Sequence, residues 1–177
     1  MRTIRISAFL LIAVLLALVA CANPTTTSRS DGTAQPKDVV PNSVLGFTLV
    51  KAGEQVTSGA GDRVNDSVEN HFVPKSDSIY LGKVRELVIQ VQRFRDETTC
   101  KEVLDEITYI GHWTQISVVG EAQLSYFADS TGGTASIEQQ RGRLLIHSIS
   151  DSPLGDTSPD EEILKQAAIG GLETIGH

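Results

Sequence analysis

The sequence predicts an α+β fold, an antiparallel sheet with two helices packed against it. Three observations carry that expectation. Residues 83–94, "KVRELVIQVQRF", alternate with period two and run directly into an amphipathic helical pattern, "DETTCKEVLDEITYIG". Glycine-bearing turns then separate alternating segments up to Asp151, the pattern of antiparallel hairpins. Finally, Ser158-Pro159-Asp160-Glu161 opens an apolar stripe of helical period.

Taken in order, Val44 to Val50, "VLGFTLV", suits a first strand or a docking segment, and Lys51 to Val73, with its small residues and glycines, reads mostly as loop. In the strand at 83–94, Leu87, Ile89 and Val91 share one face. The helix after it places Cys100, Val103, Leu104, Ile107 and Ile110 on one stripe, with Asp96 or Thr99 as N-cap and Gly111 as stop. "TQISVVG" is the next strand, followed by three more with turns at Thr131-Gly132-Gly133 and Arg141-Gly142. Both alternating sets of "RLLIHSI" carry apolar residues, which suits a central strand covered on both faces. In the final helix Ser158 is the expected N-cap, Pro159 the first helical residue and Glu161 the return partner of a capping box. Gly170 and Gly171 within it cost about 1 kcal/mol each against alanine, a cost that close packing on the sheet would explain.

The N-terminus has a different character. Arg2 and Arg5 precede an apolar run from Ile6 to Ala20, broken only by Ser7 and closed by small residues, the layout of a secretory signal. Within it, Leu18-Val19-Ala20-Cys21 resembles a bacterial lipobox. That resemblance implies cleavage before Cys21, whose sulfur carries diacylglycerol and holds the protein on the membrane. Two acyl chains are sufficient for stable anchoring. "ANPTTTSRSDGTAQPKDVVP", from Ala22 to Pro41, is too poor in apolar residues to fold by itself and is expected to be a flexible tether. The expected organisation is a lipoprotein signal peptide over 1–20, a tether over 21–41 and one α+β domain over 42–177. In element order, and in stretches such as "QQRGRLLIHSI", the domain resembles the small sensor-type domains of bacterial extracytoplasmic lipoproteins.

Charge narrows the partners. Loss of residues 1–20 removes two of the 15 basic residues and none of the 22 acidic ones, leaving a formal charge of −9. Nucleic acid repels such a body, and attachment to membrane falls to the lipid on Cys21.

The chemistry-bearing residues are few. Cys100 lies on the apolar helix stripe and reads as a buried structural thiol. His147, Ser148 and Asp151 hold the residue types of a hydrolase triad, but adjacent strand residues point to opposite faces, and no G-x-S-x-G elbow is present. His71, His112, His147 and His177 lie far apart without metal-ligand spacing, and no cofactor is implied. Acids of "DSPLGDTSPDEE" are expected at the N-terminal dipole of the last helix. Tyr109, Trp113 and Tyr126, with His147, are the residues a ligand pocket would draw on. Arg93, Arg95, Arg141 and Arg143 would form an anion site only if their strands gathered them, and surface ion pairs are the simpler expectation. The expectation is a non-enzymatic lipid-anchored protein that binds, senses or joins an envelope assembly through a ligand or envelope partner. A hydrolase built from distant residues and an apolar-ligand carrier are the competing readings.

Overall fold

A computed structural model describes residues 34–175 apart from residues 58, 60–61 and 111–114; for 108–110 and 115–119 it describes the backbone alone. A short helix α1 (Pro36–Val39) precedes β1 (Phe47–Lys51), the two-residue β2 (Val56–Thr57), β3 (Val64–Pro74) and β4 (Glu86–Phe94). Then follow α2 (Glu97–Ile110), β5 (Gln115–Val119), β6 (Ala122–Asp129), β7 (Gly132–Arg141), β8 (Leu144–Asp151) and α3 (Glu161–Thr174). The sheet is antiparallel throughout, in the order β1-β3-β4-β8-β7-β6-β5, with β2 also pairing with β3. The chain therefore belongs to the α+β class, with its longer helices packed against the sheet, as the element pattern predicts.

Alternation along β4 becomes burial. Leu87, Ile89 and Val91 are all fully buried, and their register partners Phe72, Val68 and Ile146 extend the same apolar face over β3 and β8. α3 covers this face with Leu164, Ala167, Ala168 and Leu172. Each fully buried large side chain contributes about 1.5–3 kcal/mol relative to exposure. Gly171 accounts for the closeness of the contact: a Cβ there would stand 2.2 Å from Ser148 Oγ. Gly170 has nothing within 4 Å of the equivalent position, so close packing explains only one of the two glycines.

The opposite face carries a smaller core, in which Phe94 and Leu145 meet Cys100 and Leu104 of α2. Asp96 caps this helix, accepting a hydrogen bond from Thr99 N at 2.7 Å. The two longer helices thus flank the sheet on opposite sides, and β8 sits between β4 and β7 with apolar residues on both faces.

Two local expectations change. Most of the segment read as loop before Val73 contains β3, an eleven-residue strand. Its buried positions alternate correctly, but two of the four are polar: Asp66, paired with Arg93 of β4, and Asn70, which accepts from Gly53 N and donates to Pro41 O, both at 2.9 Å. The last helix begins at Glu161 with Asp160 as N-cap, accepting from Ile163 N at 3.3 Å, while Ser158 N donates to Asp156 Oδ1 in the preceding turn. Lys83 donates to the other oxygen of the Asp160 carboxylate at 2.8 Å at the helix entrance. The turns predicted between β6, β7 and β8 are present, with Gly142 in the left-handed region at φ 59°. Gly111 lies outside the described residues.

Candidate functional site

On the sheet face that carries α2, strand register lines up a row of polar side chains. Glu69 lies opposite Gln90, Gln90 opposite His147, His147 opposite Glu138, and Glu138 opposite Gln123. Cross-strand partners share a face with Cβ atoms about 5 Å apart, so this row crosses five strands without changing sides. At one end Gln90 Nε2 donates to Glu69 Oε2 at 3.2 Å. His71, two residues along β3, stands between two carboxylates: its Nε2 is 2.7 Å from Glu69 Oε1 and its Nδ1 2.6 Å from Glu86 Oε1.

The middle of the row is buried. His147 is 8% exposed, and its Nε2 is buried without a hydrogen-bond partner. Burial pushes its pKa down to about 4, which keeps the ring neutral at physiological pH. Glu138, on the adjoining strand, is 4% exposed, and burial raises its carboxyl above the ordinary range, opposed by a hydrogen bond from the Ser136 hydroxyl. Ser125 Oγ donates to Ser136 O at 3.3 Å. A neutral imidazole with an unused ring nitrogen beside a buried carboxyl is equipped to hydrogen-bond a polar group.

The residues of a hydrolase triad do not come together. Ser148 faces α3, where its Oγ is buried against Gly171 without a partner, while His147 faces the other side of the sheet. Asp151 accepts from Arg85 at 3.0 Å and from Thr134 at 2.7 Å. Cys100 is fully buried, and burial pushes its thiol up to about 12, so the thiolate is suppressed. The structural reading of this cysteine holds.

The aromatic pocket is also divided. Tyr126 pairs with Ala135 on the α3 side and lies 5.7 Å below Lys165 Nζ, on the face opposite His147. These two residues therefore line no common pocket, a correction that follows from their odd offset in register. The Tyr109 side chain, Trp113, Cys21 and lipobox residues Leu18, Val19 and Ala20 lie outside what is described. The four arginines come to the same end of neighbouring strands, with Arg93 and Arg141 level across Leu144, but each is engaged in its own contacts. Arg93 pairs with Asp66 and Arg95 with Asp96; Arg141 donates to Gln139 and to Ile175 O, and Arg143 to Arg95 O. Among the described residues no three His, Cys, Asp or Glu are arranged to hold a metal ion.

Two depressions adjoin these features. An open pocket of about 540 Å³ lies beside the polar row, floored by Ser67, Glu69 and Gln90 and bordered by Lys51, Gly53 and Val56. A groove of about 640 Å³ runs between α3 and the β3–β4 connection, lined by Leu45, Ile79, Tyr80, Ile169 and Gly170, with Glu173 at its edge. Tyr80 is held by stacking on Phe47, with ring centroids 4.7 Å apart. The sequence missed the polar row because Gln90, Glu138 and Gln123 look like the solvent side of ordinary strands until pairing aligns them. No helix among the described residues is long and apolar enough to cross a membrane. Comparison with protein-family models, with curated proteins and with solved structures finds no match to this chain.

Proposed function

We propose that this chain is a lipid-anchored extracytoplasmic protein whose α+β domain is a non-enzymatic binding, sensing or envelope-associated module. The carrying observation is Leu18-Val19-Ala20-Cys21 at the end of a basic-then-apolar leader, followed by a Thr-, Ser- and Pro-rich stretch before the folded domain. The membrane is engaged through diacylglycerol on Cys21. The Glu69 and Gln90 end of the polar row, which floors an open pocket, offers donors and acceptors to a polar ligand or to a segment of an envelope protein. The separation of His147 from Ser148 and the suppressed thiolate of Cys100 support binding over hydrolysis. Replacing Cys21 with Ser in the full chain tests the anchor: acyl labelling and membrane fractionation should both be lost. Unchanged labelling and retention would overturn it.

A further inference from the structure

The two edges of the sheet, β1 and β5, are built differently. An edge strand presents a row of unpaired N–H and C=O groups, and proteins that remain apart interrupt or charge that row. β1 is interrupted. Its pairing with β3 slips between Leu49 and Lys51, a cation stands at its end, and beyond it the chain turns in so closely that a Cβ on Gly53 would stand 2.1 Å from Glu69 O. β5 has none of these devices. It pairs with β6 in one unbroken register, from Val119 opposite Ala122 to Gln115 opposite Tyr126. The sequence around it, "GHWTQISVVG" over residues 111–120, holds no acid, lysine or arginine, in a mature chain of formal charge −9.

The hairpin turn fixes which backbone groups face outward. Val119 and Ala122 close a two-residue turn of Gly120, at φ 62°, and Glu121, and in such a turn the closing pair exchanges both of its backbone bonds. Bonded and non-bonded pairs alternate along an antiparallel ladder, so Ser117 and Gln115 also spend their backbone groups on β6. The N–H and C=O of Ile116 and of Val118 point the other way, to the free edge. Among the described residues no strand pairs with that edge.

Two donors and two acceptors spaced in this way are complementary to themselves. A second β5 running antiparallel, with Ser117 on a two-fold axis, sets Ile116 of each copy opposite Val118 of the other. Each of these pairs exchanges two bonds, so all four outward donors and acceptors of each copy are used. Charge does not oppose the contact. Glu121, the formal charge nearest to Ser117 in the sequence, stands four residues from the axis. The two copies of it therefore lie about 27 Å apart, well beyond a Debye length of about 8 Å. A symmetric contact of this kind closes on itself and gives a dimer.

We infer that β5 is a self-pairing edge, through which two copies of this chain join their sheets about a two-fold axis at Ser117. The inference is independent of the anchor at Cys21 and goes beyond the proposed binding role: the pockets over β3 and β4 stay open at the two far sides of the joined sheet, so the dimer presents two of them.

The test uses the chain as the cell processes it, in detergent micelles, with particle mass read by sedimentation across a range of protein concentrations. The unaltered chain should reach the dimer. Ser117→Lys sets like charges opposite each other at the axis and should weaken association roughly fivefold, as should Ser117→Glu, whereas an equimolar mixture of the two should recover it. Val118→Pro removes an outward N–H and spares the bonds to β6, so it should abolish the dimer while urea unfolding stays close to that of the unaltered chain. Ser117→Cys should give a disulfide-linked dimer on mild oxidation, because opposed residues of a non-bonded pair have Cα atoms about 4.5 Å apart. Cys100 is buried, and Lys101→Cys on the exposed side of α2 is the control that should stay unlinked. A monomer at every concentration overturns the inference. So does a dimer that persists in Val118→Pro, or one that the mixed Lys and Glu variants fail to restore. Pairing at Ser117→Cys with a different protein and never with a second copy assigns the edge to that partner and overturns self-pairing.

Discussion

Two adjacent glycines in α3 should respond to the same substitution with opposite signs. Gly171→Ala places a methyl 2.2 Å from Ser148 Oγ, 3.3 Å from Ile89 Cδ1 and 3.4 Å from Leu87 Cδ1. The two aliphatic methyls can yield by a few tenths of an ångström, but the hydroxyl must move by more than about 1 Å to reach ordinary contact, on a strand held from both sides. Overpacking of this kind costs about 1–3 kcal/mol, while alanine recovers about 1 kcal/mol of helix propensity. The net expectation is destabilisation by up to about 2 kcal/mol, or a Tm lowered by up to roughly 6 °C. Gly170→Ala meets nothing within 4 Å and should stabilise by up to about 1 kcal/mol. Because Ser148 Oγ is buried without a partner, Ser148→Ala loses no hydrogen bond and vacates the space the methyl needs. In a double-mutant cycle read by urea unfolding, Ser148→Ala should remove most of the Gly171→Ala penalty, a coupling of about 1–2 kcal/mol. Gly171→Ala stabilising as much as Gly170→Ala, or an additive cycle, would refute the account of α3 packing.

Acid should unfold the domain partly through His147. Its folded pKa of about 4 lies below the unfolded value of 6.5, so its contribution is fully present above about pH 6.5 and is lost as pH falls towards 4. The loss amounts to about 3 kcal/mol, and His147→Gln should flatten that limb of a stability-versus-pH curve measured by chemical unfolding. Glu138 has the opposite sign: its raised folded pKa gives a contribution present in acid and lost as pH rises through the folded value, so Glu138→Gln should stabilise near neutrality. At the entrance to α3, Asp160→Ala should cost about 1 kcal/mol of thermal stability, whereas Ser158→Ala should leave Tm almost unchanged. Equal effects at the two positions would reinstate the serine as cap.

How much was legible depended on how cleanly residue type tracked burial. β4 announces itself because Leu87, Ile89 and Val91 alternate with mostly polar neighbours, and β8 because Leu145 is apolar on the face opposite Leu144 and Ile146. β3 does not, since Asp66 and Asn70 occupy buried positions and are satisfied by partners far along the chain: Arg93 for one, Gly53 and Pro41 for the other. A polar residue at a buried position erases the period that a sequence reading relies on. The same reasoning explains the divided pocket. Tyr126 and His147 belong to different strands, and which face each shares is set by the intervening register through β7, information no single strand contains. The triad was legible as unlikely from parity within one strand, because His147 and Ser148 are neighbours. The polar row was invisible for the complementary reason: its five members come from five strands.

The central position of β8 has a consequence for when this chain can fold. β4 spans residues 86–94, yet its second neighbour is not made until residues 144–151, and the cover for their shared apolar face arrives only with α3. Until then the earlier half holds β1, β3 and β4 with Leu87, Ile89 and Val91 open to water, a partial sheet with little to retain it. Such late, long-range closure slows folding. During synthesis it keeps the polypeptide threadable almost to its last residues, a useful property in a chain we propose to cross a membrane before it acquires its shape.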